Sequence, residues 1–123
     1  MQPQTFTVEQ RRAGDVAVLS LSGPLRLGYR ETSSGQQISD IVKQIVTAGT
    51  QRIAINLSGL SETPDSSGLG ELLAVEAVLR RAGGDLVLVD IPPHLRSIIE
   101  MMKLESLFRI VDTEEAAIAL LNG

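Results

Sequence analysis

Ile53-Ala-Ile-Asn-Leu-Ser-Gly-Leu-Ser-Glu-Thr-Pro-Asp65-Ser66-Ser67-Gly68-Leu69-Gly70-Glu71-Leu72-Leu73 joins an apolar run to a polar loop and then to a helical pattern. Residues 52–57 are short, apolar, β-branched and bounded by turn formers, which predicts a buried strand. From Leu69 the apolar residues Leu72, Leu73, Val75, Val78 and Leu79 recur at helical spacing. Asp65-Ser66-Ser67-Gly68 lies between the two. Asp and Ser cap helix N-termini because their oxygens accept the orphan amide hydrogens of the first turn. Pro64 suits a position just outside a helix and biases Thr63 toward an extended backbone. A strand–loop–helix junction of this kind puts Ser66 at the carboxyl edge of a sheet, where open α/β folds carry their functional groups.

Outward from this junction the pattern alternates. Upstream, residues 5–11 and 16–22 read as two strands joined by Arg12-Ala13-Gly14-Asp15, a hairpin. Gly23-Pro24 ends the second, and residues 25–35 read as a loop. Ile38, Ile41, Val42, Ile45 and Val46 then form a helical stripe that stops at Gly49. Downstream, Gly83-Gly84 ends the second helix and residues 85–89 form a strand. Pro92-Pro93 opens a third helix with Leu95, Ile98, Ile99 and Met102 on its apolar face. Residues 107–111 are a last strand. Asp112-Thr113-Glu114-Glu115 has the form of a capping box ahead of a final helix. The order β-β-α-β-α-β-α-β-α predicts one α/β domain spanning residues 1–123, with four or five strands and about four helices. Its sheet is mostly parallel, and the first strand is the antiparallel member. Ile41, Ile45, Leu72, Val87 and Ile98 are the expected core.

Composition excludes several functions. The net charge is −4, so a basic footprint for nucleic acid or an anionic membrane is absent. Aromatic residues make up 2% of the chain, too few to stack bases. There is no cysteine, hence no disulfide scaffold, thiolate metal site or cysteine nucleophile, which suits a reducing cytoplasm. No run approaches the roughly 20 apolar residues of a membrane-spanning helix, and residues 2–5 do not lead into a signal peptide. A serine-hydrolase reading of Ser66 lacks the Gly-x-Ser-x-Gly elbow, and His94, the sole histidine, stands at the start of another helix. The glycines near Ser66 are no phosphate-binding loop, since the lysine and the spacing are missing. Neither a metal nor another cofactor is expected. Glu76 and Arg80 read as an i, i+4 pair on a solvated helix face.

The ordered set Asp65-Ser66-Ser67-Gly68-Leu69-Gly70-Glu71-Leu72-Leu73, Arg81-Ala82-Gly83-Gly84-Asp85-Leu86, Met102-Lys103-Leu104, Leu107-Phe108 and Asp112-Thr113-Glu114-Glu115-Ala116 resembles the STAS domains. Among them it is most similar to the anti-sigma factor antagonists of bacteria. The resemblance covers nearly the whole chain. It implies a cytoplasmic, non-enzymatic switch. The unphosphorylated antagonist binds an anti-sigma factor that is also a serine kinase of the histidine-kinase ATPase fold, and so frees a sigma factor. Phosphorylation of the serine after the aspartate, here Ser66, dissociates the complex, and a metal-dependent serine phosphatase resets it. Ser67 is the second-choice acceptor.

Asp65, Ser66, Ser67, Gly68 and Leu69 are the implied partner-binding residues, joined by Glu62 and Arg26. In place of the family's apolar pair before the aspartate this chain has Thr63-Pro64, with a loop over residues 57–65 one residue longer. Arg26 in Gly23-Pro24-Leu25-Arg26 stands where many antagonists have an acidic residue. Both places flank the phosphorylated serine in the family. Read alone, Asp65-Ser66-Ser67-Gly68 is also an ordinary helix cap, and Gly68 and Gly70 also suit helix–sheet packing. Two other functions fit the same fold: an adaptor or scaffold subunit, stressosome-like or part of a lipid-transport assembly, in which Ser66 is unmodified, and a small-ligand or nucleotide sensor.

Overall fold

The computed structural model describes residues 7–23, 34–60 and 66–122, without the side chains of 34–37 and 66–68. Nine elements follow in order: β1 (Thr7–Ala13), β2 (Val16–Gly23), α1 (Ser34–Thr47), β3 (Arg52–Leu60), α2 (Ser66–Arg81), β4 (Asp85–Val89), α3 (Pro93–Met101), β5 (Arg109–Val111) and α4 (Glu114–Asn122). The strands form one five-stranded sheet in sequential order, β1-β2-β3-β4-β5. β1 runs antiparallel to β2, and every other pairing is parallel.

The β1–β2 turn is shorter than the sequence suggests. Only Gly14 and Asp15 leave the ladder, and Ala13 pairs with Val16. Gly14 has φ +63°, a conformation that favours glycine at the first central position of a two-residue hairpin turn.

Sequential strand order with right-handed crossovers sends α1, α2 and α3 to one face of the sheet. There Leu19, Leu21, Ile53, Ile55, Leu57 and Leu88 pack with Ile38, Val42 and Ile45 of α1, Leu69, Leu72, Val75 and Leu79 of α2, and Leu95 and Ile99 of α3. α4 covers the other face, where Ala117 and Leu121 meet Val16, Val18, Ala54, Val87 and Val89. Burial on both faces explains why β2, β3 and β4 read as near-continuous apolar runs.

Three of the five expected core residues, Ile45, Leu72 and Val87, are buried. Ile41 and Ile98 are half-buried at the margin of the core. The apolar stripes of α1 and α3 are the expected ones, but within them Ile38, Val42 and Ile45 in α1, and Leu95 and Ile99 in α3, point most deeply inward, and Met102 is exposed.

The reading of Glu76 is also corrected. It pairs with Arg80 at 3.5 Å, but it is 7% exposed. It lines a cleft of about 290 Å³ with Leu79, Leu86, Ser106, Leu107 and Arg109, at the amino edge of β4 and β5. Glu76 stands four residues after Leu72 and three before Leu79, so helical geometry alone puts it on the buried stripe.

The capping box before α4 is corrected as well. Thr113, not Asp112, is the cap: its Oγ1 accepts the Ala116 N–H at 3.1 Å. Asp112 is exposed and lies 3.7 Å from Arg96. Glu114, the first residue of the helix, turns toward the sheet.

Candidate functional site

β3 runs past Leu57, where the sequence reading ends it, to Leu60. Its pairing with β2 steps from Ser20–Asn56 to Ser22–Gly59, so β3 carries an extra residue there. Gly59 permits this step: a Cβ at that position would lie 2.5 Å from the Leu21 carbonyl oxygen. Any side chain would push β2 and β3 apart where β3 leaves the sheet.

α2 begins at Ser66, three residues before the stripe that reveals it in the sequence. Because α2 returns antiparallel to β3, its first turn stands at the carboxyl edge of the sheet. Ser66, Ser67 and Gly68 form that turn, and the helix dipole puts partial positive charge there. Leu69, the next residue, is 4% exposed and packs in the core, so it anchors the turn from below. Arg26, Glu62 and Asp65 lie outside the described residues, as do the side chains of Ser66, Ser67 and Gly68. His94 is exposed in the first turn of α3.

On the α4 face of the same sheet edge, four polar residues form a network that no motif announces. The Glu114 carboxylate accepts from Nη2 of Arg11 at 2.7 and 2.8 Å and from Nδ2 of Asn56 at 2.8 Å. Arg11 also donates to Oγ of Ser20 at 3.2 Å. Oδ1 of Asn56 accepts the Ser58 N–H at 2.9 Å, at the irregular step of β3. One carboxylate thus ties β1, β3 and the start of α4 together. The signal in the sequence is faint: a single Asn interrupts an apolar strand, and Glu114 is 58 residues away from it.

The hydrogen bond from Arg11 holds the Glu114 carboxyl below its usual range, the Asn56 amide adds to this, and partial burial opposes both. A group whose pKa is lowered by folding stabilises the fold above its unfolded pKa, near 4.3, and that stabilisation is lost as pH falls through the folded value. Glu114→Gln is therefore expected to lower the melting temperature at pH 7, and the difference from wild type is expected to shrink as pH falls below the unfolded value and wild type loses the same charge. Melting curves of both proteins across that range check this.

Among the described residues no cluster of His, Asp and Glu could hold a metal ion, and no helix is long and apolar enough to cross a membrane.

The sequence that builds this sheet and its helices matches a known family. The STAS domain profile covers residues 7–117. The chain belongs to the STAS domain family. The anti-sigma factor antagonist BtrV of Bordetella bronchiseptica is 30% identical over 92 residues, covering 75% of this chain and 78% of BtrV. The anti-sigma F factor antagonist of Paenibacillus polymyxa is 27% identical over 120 residues, covering 94% of each chain. Among solved structures, the antagonist SpoIIAA in its unphosphorylated form superposes with a TM-score of 0.71 at 26% identity, over 97% of this chain and 99% of SpoIIAA. Phosphorylated Bacillus SpoIIAA gives 0.68 at 26% identity, over 94% and 97% of the two chains. The STAS fold expected from the sequence is the fold observed, with its antiparallel first strand.

Proposed function

We propose that this STAS domain is an anti-sigma factor antagonist gated by phosphorylation of Ser66. The observation that carries the reading is the Asp65-Ser66-Ser67-Gly68 stretch at the opening of α2, in a fold whose named relatives are antagonists of this kind. SpoIIAA, known in an unphosphorylated and a phosphorylated form, supports the switch.

The mechanism is electrostatic. Unphosphorylated, the first turn of α2 and its flanking loops, with Asp65, Glu62 and Arg26, meet an anti-sigma factor that is also a serine kinase of the histidine-kinase ATPase fold. Its sigma factor is released. The kinase transfers phosphate to the Ser66 hydroxyl. A phosphate at a helix N-terminus is favoured by the dipole and the free amides, so the fold accepts it. The interface does not: up to two added negative charges must be desolvated beneath the partner, beside the acidic Asp65 and Glu62. The complex separates, and a serine phosphatase restores the first state. The domain supplies an acceptor and a surface and catalyses nothing itself. Its place is the cytoplasm, with its partners.

Mass spectrometry of the protein isolated from its own cells, before and after stress, tests this. The expected result is a single phosphate on Ser66 in one condition, and an ATPase-fold kinase co-purifying with the unmodified form. Ser66 unmodified in every condition, with no such protein bound, would refute the switch.

A further inference from the structure

β1 has one neighbour in the sheet, β2, among the described residues. Its other edge is seven residues long, and no described residue pairs with it. In a two-residue hairpin the closing pair, here Ala13–Val16, exchanges both backbone hydrogen bonds, and bonded and non-bonded pairs alternate from there. Residues 13, 11, 9 and 7 therefore bond to β2, and Val8, Gln10 and Arg12 direct their N–H and C=O groups outward. Side chains alternate with them. Arg11 lies on the α4 face through Glu114. Val8 packs against the α1 side of the core, and Arg12 donates to Oγ1 of Thr50 at 2.9 Å beyond the end of α1.

We propose that β1 pairs with β1 of a second copy of this chain, antiparallel about a two-fold axis at Gln10, to give one continuous sheet. Charge selects both the occupant and the register. Edge strands are commonly protected by charges that repel another strand. The charges of this edge are self-complementary. With Gln10 opposite Gln10, Glu9 faces Arg11 of the second copy, and Arg11 faces its Glu9. These are the non-bonded pairs, in which side chains stand closest. The same register pairs Val8 with Arg12 and Thr7 with Ala13, so the whole strand is used and about six backbone hydrogen bonds form. A shift by two residues in sum opposes Glu9 to Glu9 in one direction and Arg11 to Arg11 in the other, both destabilising. Arg11 has donors to spare: Nη2 holds Glu114, and Nε lies 3.7 Å from Glu9 of its own strand, a contact the partner strand can replace. Glu9 is exposed, so a partner strand can reach it.

Sedimentation velocity on the full chain, from about 10 µM to about 1 mM, reads the proposal directly. Wild type is expected to pass from 13.2 kDa to twice that mass. Glu9→Arg opposes Arg to Arg11 and is expected to weaken association at least about tenfold. Gln10→Pro removes an outward N–H that β2 does not use and is expected to abolish it. The melting temperature of each variant reports whether it still folds. Because the chain has no cysteine, Gln10→Cys gives a second readout independent of affinity. Mild oxidation should link two copies of it through residue 10, and leave the control Lys43→Cys on α1 unlinked. A chain that stays monomeric over the whole range overturns the proposal. So does a dimer that Glu9→Arg and Gln10→Pro leave intact, or a Gln10→Cys variant that links no faster than Lys43→Cys.

Discussion

Ser66→Asp is expected to weaken binding of the anti-sigma factor by roughly 100- to 1,000-fold while the melting temperature stays within a degree or two of wild type. The magnitude follows from where the charge is placed. Ser66 is the first residue of α2, so in the free protein a carboxylate there meets the positive end of the dipole and costs the fold little. Under a partner the same charge is desolvated without a counter-ion. An unpaired buried charge costs several kcal/mol, and about 3–4 kcal/mol corresponds to this loss. Phosphoserine carries up to twice the charge of Asp and is expected to bind more weakly still. Ser66→Ala cannot accept phosphate and is expected to hold the partner permanently. Titration calorimetry of the purified anti-sigma factor against wild type and the two variants, with circular dichroism of each, measures both halves. If Ser66→Asp and Ser66→Ala bind alike, the switch reading fails and an adaptor that uses the same surface unmodified replaces it. If Ser66→Asp unfolds, the helix N-terminus does not host the charge.

The second large effect is on stability. Leu72→Ala is expected to cost about 2–5 kcal/mol, because Leu72 is fully buried in α2 between the sheet and α1 and neighbouring side chains can only partly fill the space. The urea midpoint should fall with the slope unchanged. Leu72 lies on the same buried stripe as Leu69, the residue that anchors the turn bearing Ser66. The variant should therefore also bind the partner less tightly near its midpoint, in proportion to the unfolded fraction. Ile41→Ala, by contrast, should cost less, since Ile41 is only half-buried.

The alternation of strands and helices, the antiparallel first strand and the position of β4 at Asp85–Val89 were legible in the sequence. Each rests on local physics: apolar periodicity, glycine and proline as breakers, and a turn too short for anything but a hairpin. The Asp65-Ser66-Ser67-Gly68 signal was legible for the same reason, since capping residues act within one turn. Local signals misled where two local solutions compete. Asp112 and Thr113 can each cap a helix, and Thr113 does so, with Glu114 as the first helical residue held by Arg11 and Asn56. Ile98 and Ile99 both fit an apolar face, and the rotation of α3 against the sheet chooses Ile99.

By itself, then, the sequence determined the order and kind of the elements and the place of the serine at a helix start, because helix and strand periods, caps and turns depend on neighbours a few residues apart. The tertiary structure alone decided two other things: that one carboxylate joins Arg11, Asn56 and the root of α4, and that β1 has a single sheet neighbour among the described residues, with matched charges along its other edge. Each depends on which distant segments share a face, and packing, not local propensity, brings Arg11 within hydrogen-bonding reach of a residue 103 positions away.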